Sequence, residues 1–153
     1  FEAVANAAMG PLIDEVAATS KAMTGCTRDL LRHTLCRMYE MMVSTKNSAL
    51  MRILIAEGKS HPDLVRRYHA QVSSRGQAAL AALIQRGIDR GELRTGAETS
   101  FPQVVVAPVF FYMLNSMIFD EIEPLDADAF LEAHVDLILN GIAADPAEGE
   151  AVN

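Results

Sequence analysis

The chain has 153 residues, enough for one compact domain with a hydrophobic core of its own. Half are apolar and 22% are charged, which excludes a disordered chain. The net charge is −7, and all thirteen Lys and Arg lie between Lys21 and Arg94, against eleven acids from Glu98 onward, so the C-terminal third has no cation to displace counterions from a phosphate backbone.

Ala, Leu, Met, Ile, Glu and Arg dominate, Trp is absent and no short alternating runs occur, so the fold class is all-α, a bundle of about six helices. The opening Phe1-Glu2-Ala3-Val4 offers no capping residue, and apolar positions continue through Ala8, Met9, Leu12 and Val16, as if the sequence enters within a helix. Gly10-Pro11 predicts a kink in this first helix, and Thr24-Gly25 its end. A second helix runs from Thr27, as cap, to about Thr45, with Leu31, Leu35, Met38 and Met42 on one face. A third covers about Asn47 to Glu57 and stops at Gly58. Pro62 suits the first position of a long fourth helix to about Arg90, with a stripe of Leu64, Tyr68, Val72, Ala79 and Leu83 and Gly91 as its end.

Residues 92–100 form a polar connection. The fifth helix starts near Pro102, carries Pro108 as a bend and reaches Phe119; Asp126 caps the sixth, Ala127 to about Ala143. The acidic tail, 145–153, is expected to be disordered, leaving 1–144 as the folded domain.

Phe101 to Phe119 is nineteen residues without a charge, close to the length that spans a bilayer. Pro102, Gln103, Pro108, Asn115 and Ser116 interrupt it, and no flanking Lys or Arg would orient it. The expectation is a central helix buried partly by a partner subunit, and no membrane. Cys26 and Cys36 would stand ~15 Å apart on one helix, too far for a disulfide, and two isolated thiols fit a cytoplasmic protein. No signal peptide is visible in the first residues.

Chemistry-bearing clusters are sparse. His33 and Cys36, three apart on a helix, could pair as base and nucleophile in a small helical hydrolase, but no third group orients them. His61 and His69 have no Cys or paired carboxylate to complete a metal set. No metal, cofactor or catalytic residue is assigned.

Eight methionines are the more telling feature. Flexible and polarisable, Met lines adaptable apolar surfaces. Met38, Met42, Phe110, Met113 and Met117, with Tyr68 and His69 as polar contacts and Leu35, Leu54 and Val72 beside them, suit a cavity for a small apolar or amphipathic effector. A ligand carrier would need the same cavity; a pure interaction module would have a dry, filled interior.

The last two helices carry more apolar surface than one monomer can cover. Phe111, Leu114 and Ile118 on the fifth, with Phe130, His134, Leu137 and Gly141 on the sixth, are expected to pack against the same pair of a second copy as an intermolecular four-helix bundle.

Phe1-Glu2-Ala3-Val4 with Gly10-Pro11-Leu12, then 52–58 (RILIAEG) running into Pro62-Asp63-Leu64 and Tyr68-His69, the segment 86–94 (RGIDRGELR) and Ala107-Pro108-Val109-Phe110 come in an order that resembles the C-terminal regulatory domain of the TetR/AcrR repressor family. The resemblance implies an effector-sensing, dimerising domain of a transcriptional repressor, not an enzyme. Operator DNA would be bound only through an N-terminal helix-turn-helix missing from this sequence. It also implies that ligand biases the setting of the first helix, which carries that headpiece.

Overall fold

The computed structural model describes residues 2–21, 24–42 and 44–142, and within them the regular structure is helical. The helices are α1 (Glu2–Lys21), α2 (Thr27–Met42), α3 (Thr45–Glu57), α4 (Pro62–Tyr68), α5 (Ser74–Asp89), the single turn α6 (Ala97–Ser100), α7 (Pro102–Phe119) and α8 (Ala127–Ile142). A π-helical turn, His69–Ser73, joins α4 to α5, so the expected long fourth helix is present but carries one widened turn. Phe1 and the tail 145–153 lie outside the described residues.

Local chemistry sets most of the ends. Pro62 and Pro102 open α4 and α7, where a missing N–H costs nothing. Asp126 Oδ1 accepts the Ala129 N–H at 2.8 Å and caps α8. Gly91, at φ +69°, ends α5: the Glu92 N–H bonds Gly87 O at 2.8 Å and the Gly91 N–H bonds Ile88 O at 2.9 Å, the paired bonds of a left-handed helix stop.

Two expectations shift. α2 stops at Met42 instead of Thr45, because Ser44 turns extended and its Oγ accepts the Asn47 N–H at 3.4 Å as the cap of α3. Thr27 is the first helical residue and not the cap; its N–H is taken by Glu92 Oε2 at 2.7 Å, a carboxylate brought from beyond α5.

The core lies where α2, α5 and α7 meet, around Leu31, Leu35, Leu83, Ile84, Val105 and Val109, all essentially without exposed surface. Burying each such side chain contributes about 1.5–3 kcal/mol. α1 crosses α5, and α8 packs on α2 and α7. Two arginines fasten the ends. Arg86 Nη1 donates to Thr27 Oγ1 at 2.6 Å and Nη2 to the Thr24 and Gly25 carbonyls, pinning the α1–α2 turn to α5. Arg94 donates through Nε and Nη2 to Gly141 O at 2.9 and 2.7 Å, satisfying the last turn of α8.

By length and composition, α7 is the helix among the described residues that could cross a membrane. Here it buries Val105, Val109, Tyr112 and Met113 against the bundle and leaves Val104, Phe111, Leu114 and Ile118 exposed.

Candidate effector cavity and apolar face

A cavity of about 570 Å³ opens between α1, α2, the α4–α5 rod and α7, within the range that holds a drug-sized ligand. α1 supplies Met9, Leu12, Ile13 and Val16; α2 adds Thr34, Met38 and Met42, and α3 adds Met51. Tyr68 of α4, Val72 and Ser73 of the π-helical turn, and Gly76, Gln77 and Leu80 of α5 form the next wall. α7 closes it with Pro102, Gln103, Val106, Phe110, Phe111 and Leu114. Gly76 adds no side chain to the α5 wall.

Of the residues expected there, Met38, Met42, Tyr68, Val72 and Phe110 line this cavity. The others do not. Leu35 is fully enclosed in the core, and Leu54 packs half-buried against it. His69 is exposed on the π-helical turn, with Nδ1 3.2 Å from Ser74 Oγ. Met113 and Met117 face a second, more polar cavity of about 410 Å³ with Ser48, Arg52, Ser116 and Asp120. Met42 borders both cavities.

The four residues of α1 and the polar set Ser73, Gln77 and Gln103 are absent from the expectation. Gln103 was legible as a polar break in the charge-free segment, whereas Ser73 and Gln77 depend on the π-helical turn.

Charge is lacking around the large cavity: none of its lining side chains is an acid or a base of formal charge. Burial pushes the Tyr68 hydroxyl above its ordinary value of 10.0, so it stays neutral near neutral pH. Its Oη lies 3.8 Å from Met51 Sδ.

The expected dimer residues divide. Phe111, Leu114, Ile118 and Leu137 are exposed, Ile118 by 62% and Leu137 by 66%, and Val104, Phe119 and Ile122 are exposed as well. Gly141 is exposed too. Phe130 is half-buried, stacked on Phe111 with ring centroids 6.0 Å apart and tilted against Tyr39 and Tyr112. His134 is not on this face. It is only 3% exposed, with Nε2 2.9 Å from Val105 O and Nδ1 3.0 Å from Tyr39 Oη. A carbonyl can only accept, so Nε2 carries the proton and the Tyr39 O–H donates to Nδ1, tying α8 to α7 and α2.

The remaining singled-out groups lie at or near the surface. His33 Nε2 is 2.9 Å from Glu15 Oε1, linking α2 to α1, and among the described residues no hydrogen bond joins it to Cys36. Cys26 and Cys36 are free thiols, the first exposed and the second half-buried. His61 Nδ1 lies 3.5 Å from Glu57 Oε2. Among the described residues no group of three His, Cys, Asp or Glu is placed to hold a metal.

The same helical architecture occurs in a solved structure assigned to the TetR-family transcriptional regulators, from Mesorhizobium loti MAFF303099, with a TM-score of 0.71 over 92% of this chain and 72% of that one. At 19% identity the likeness speaks to the fold alone. A search of curated proteins finds no match. The family comes from the sequence itself: residues 22–138 match the tetracyclin repressor-like, C-terminal domain family, and the chain belongs to it.

Proposed function

We propose that this domain is the effector-sensing and dimerising part of a TetR-like cytoplasmic repressor, binding a small apolar or amphipathic compound in the cavity beside α1. The observation that carries this reading is the cavity itself: a space of about 570 Å³ with nearly all-apolar walls, one of them made by the first helix of the chain. A filled interior would have favoured a plain interaction module.

In this reading two copies pair through the exposed stripe of Phe111, Leu114, Ile118 and Leu137, and operator DNA is gripped by a domain preceding α1. Ligand against Met9, Leu12, Ile13 and Val16 favours one setting of α1 and shifts the population of headpiece spacings. Two recognition helices must stand about 34 Å apart to enter successive major grooves. Gly10-Pro11, lying between Met9 and Leu12, is the bend point of that lever.

The test is a thermal-shift screen of uncharged apolar compounds, with light scattering on the same samples. A compound at a hundred times its Kd raises stability by about 2.7 kcal/mol. Phe110→Asp, helical by circular dichroism, is expected to lose the shift and remain two copies per particle, and Ile118→Asp to give one. An absence of any saturable shift in the parent protein overturns the sensing role, and a parent with one copy per particle overturns the dimer.

A further inference from the structure

One strip of the cavity wall is polar, and its composition specifies the kind of ligand. Gln103 Nε2 donates to Gln77 Oε1 at 2.7 Å, and Gln77 Nε2 donates to Ser73 Oγ at 3.1 Å. All three residues line the cavity, and they come from α7, α5 and the π-helical turn. Ser73 and Gln77 are half-buried and Gln103 is exposed, so the row runs from the wall to the mouth.

A carboxamide has two N–H donors and two carbonyl lone pairs, and a serine hydroxyl has one donor. Each glutamine spends one N–H along the row and keeps the other. Gln103 Oε1 and the Ser73 O–H are also unspent. Turning both amides over reverses the row but leaves the same mixture of donors and acceptors. The row therefore suits a group that donates and accepts at once.

It does not suit an ion. None of the residues lining the cavity carries a formal charge. The nearby Arg75 of α5 and Asp14 of α1 pair with each other at 2.8 Å on the exterior. The Thr34 hydroxyl on the far wall is turned to Leu30 O at 2.8 Å. A carboxylate, phosphate or ammonium brought into this space would lose hydration without meeting a counter-charge.

We propose that the ligand is an uncharged amphiphile: an apolar body in the cavity with one neutral head that both donates and accepts, such as a hydroxyl or carboxamide, held by Ser73, Gln77 and Gln103. This rests on the reading of the cavity as the effector site. It disfavours carboxylate or ammonium amphiphiles, whose charge would meet no counter-charge among the lining residues.

Isothermal titration of the whole chain at pH 7.5 with decan-1-ol, decanamide, decanoate and decylammonium tests the head group on a constant tail. The alcohol and the amide are expected to bind saturably, with both ions at least tenfold weaker. Gln77→Leu combined with Gln103→Leu, checked for helicity, is expected to weaken decanamide about tenfold. Gln77→Glu is expected to reverse the order, with decylammonium overtaking decan-1-ol.

Ions that bind the parent as tightly as the alcohol overturn the neutral-head assignment while leaving the cavity's role intact. An unchanged order in Gln77→Glu overturns the placement of the head. Failure of all four compounds to bind overturns the effector reading and this inference with it.

Discussion

Replacing His134 with Leu tests the packing of α8 most directly, because the imidazole is the buried polar link between three helices. Leu keeps similar bulk but removes both ring nitrogens. Val105 O lies within α7, where the helical ladder still offers it the Val109 N–H, so the group left without a partner is the Tyr39 hydroxyl. Stranding a buried hydroxyl costs about 1–3 kcal/mol. For a domain of this size each kcal/mol lowers Tm by roughly 2–4 °C, so a fall of about 2–12 °C is expected.

Tyr39→Phe in the same chain removes the stranded group and is expected to recover part of the loss, with a coupling of about 0.5–3 kcal/mol. The pH dependence gives a second handle. Burial holds His134 below its ordinary 6.5, partly offset by the bond to Val105, so the unfolded chain takes up a proton that the folded chain refuses. Stability is therefore full above pH 6.5 and falls as the pH drops below it, by at most about 1.4 kcal/mol per pH unit.

Thermal melts at fixed protein concentration between pH 8 and 5.5 measure both effects. The parent is expected to lose stability below pH 6.5, and the Leu variant to lack that slope. A variant that melts with the parent, or that keeps the slope, refutes the buried-bridge assignment.

Gly87→Ala is expected to destabilise by about 1–3 kcal/mol despite its better helix propensity. The new methyl would stand 2.5 Å from Leu93 Cδ1 and 2.8 Å from Thr27 Cγ2, two buried side chains, and a lowered urea midpoint checks it. Gly76→Ala is the opposite case: its methyl meets Ile13 at an ordinary 3.8 Å, so the variant is expected to gain about 0.5–1 kcal/mol, read as a higher Tm. Glu92→Gln is expected to cost about 1 kcal/mol by weakening the cap on α2. Burial pushes the Glu92 carboxyl up, but the hydrogen bonds from Thr27 and Arg90 outweigh it and hold it down at about 2. That stability is present above the ordinary 4.5 and is lost as the pH falls through about 2, so acid titration of the Gln variant is expected to lack this component.

What was legible in the sequence follows the range of the interactions involved. Pro62, Pro102, Asp126 and Gly91 act within a few residues of themselves, and each stands at the helix end its chemistry demands. The cap on Thr27 comes from Glu92, sixty-five residues away, and no local pattern reveals it. Faces failed where the apolar stripe was too broad to have an edge. α7 is oily all round, so periodicity cannot tell that Leu114 meets the large cavity while Met113 and Met117 turn to the second one. On α8, Val135, Ile138 and Ile142 form the stripe buried within the domain, Leu137 and Gly141 of the expected dimer face are exposed, and His134 is the member of that set that turns inward. His134 sits at the border of the buried stripe, and a histidine there is decided by whether a partner waits inside. Tyr39, ninety-five residues earlier, supplies that partner. A polar residue inside an apolar stripe is thus the least predictable position from periodicity alone, since its burial is settled by one distant hydrogen bond and not by its own helix. Gln103 is the mirror case: an isolated amide in a charge-free run, it reads as a flaw in a core helix until α5 brings Gln77 to within 2.7 Å.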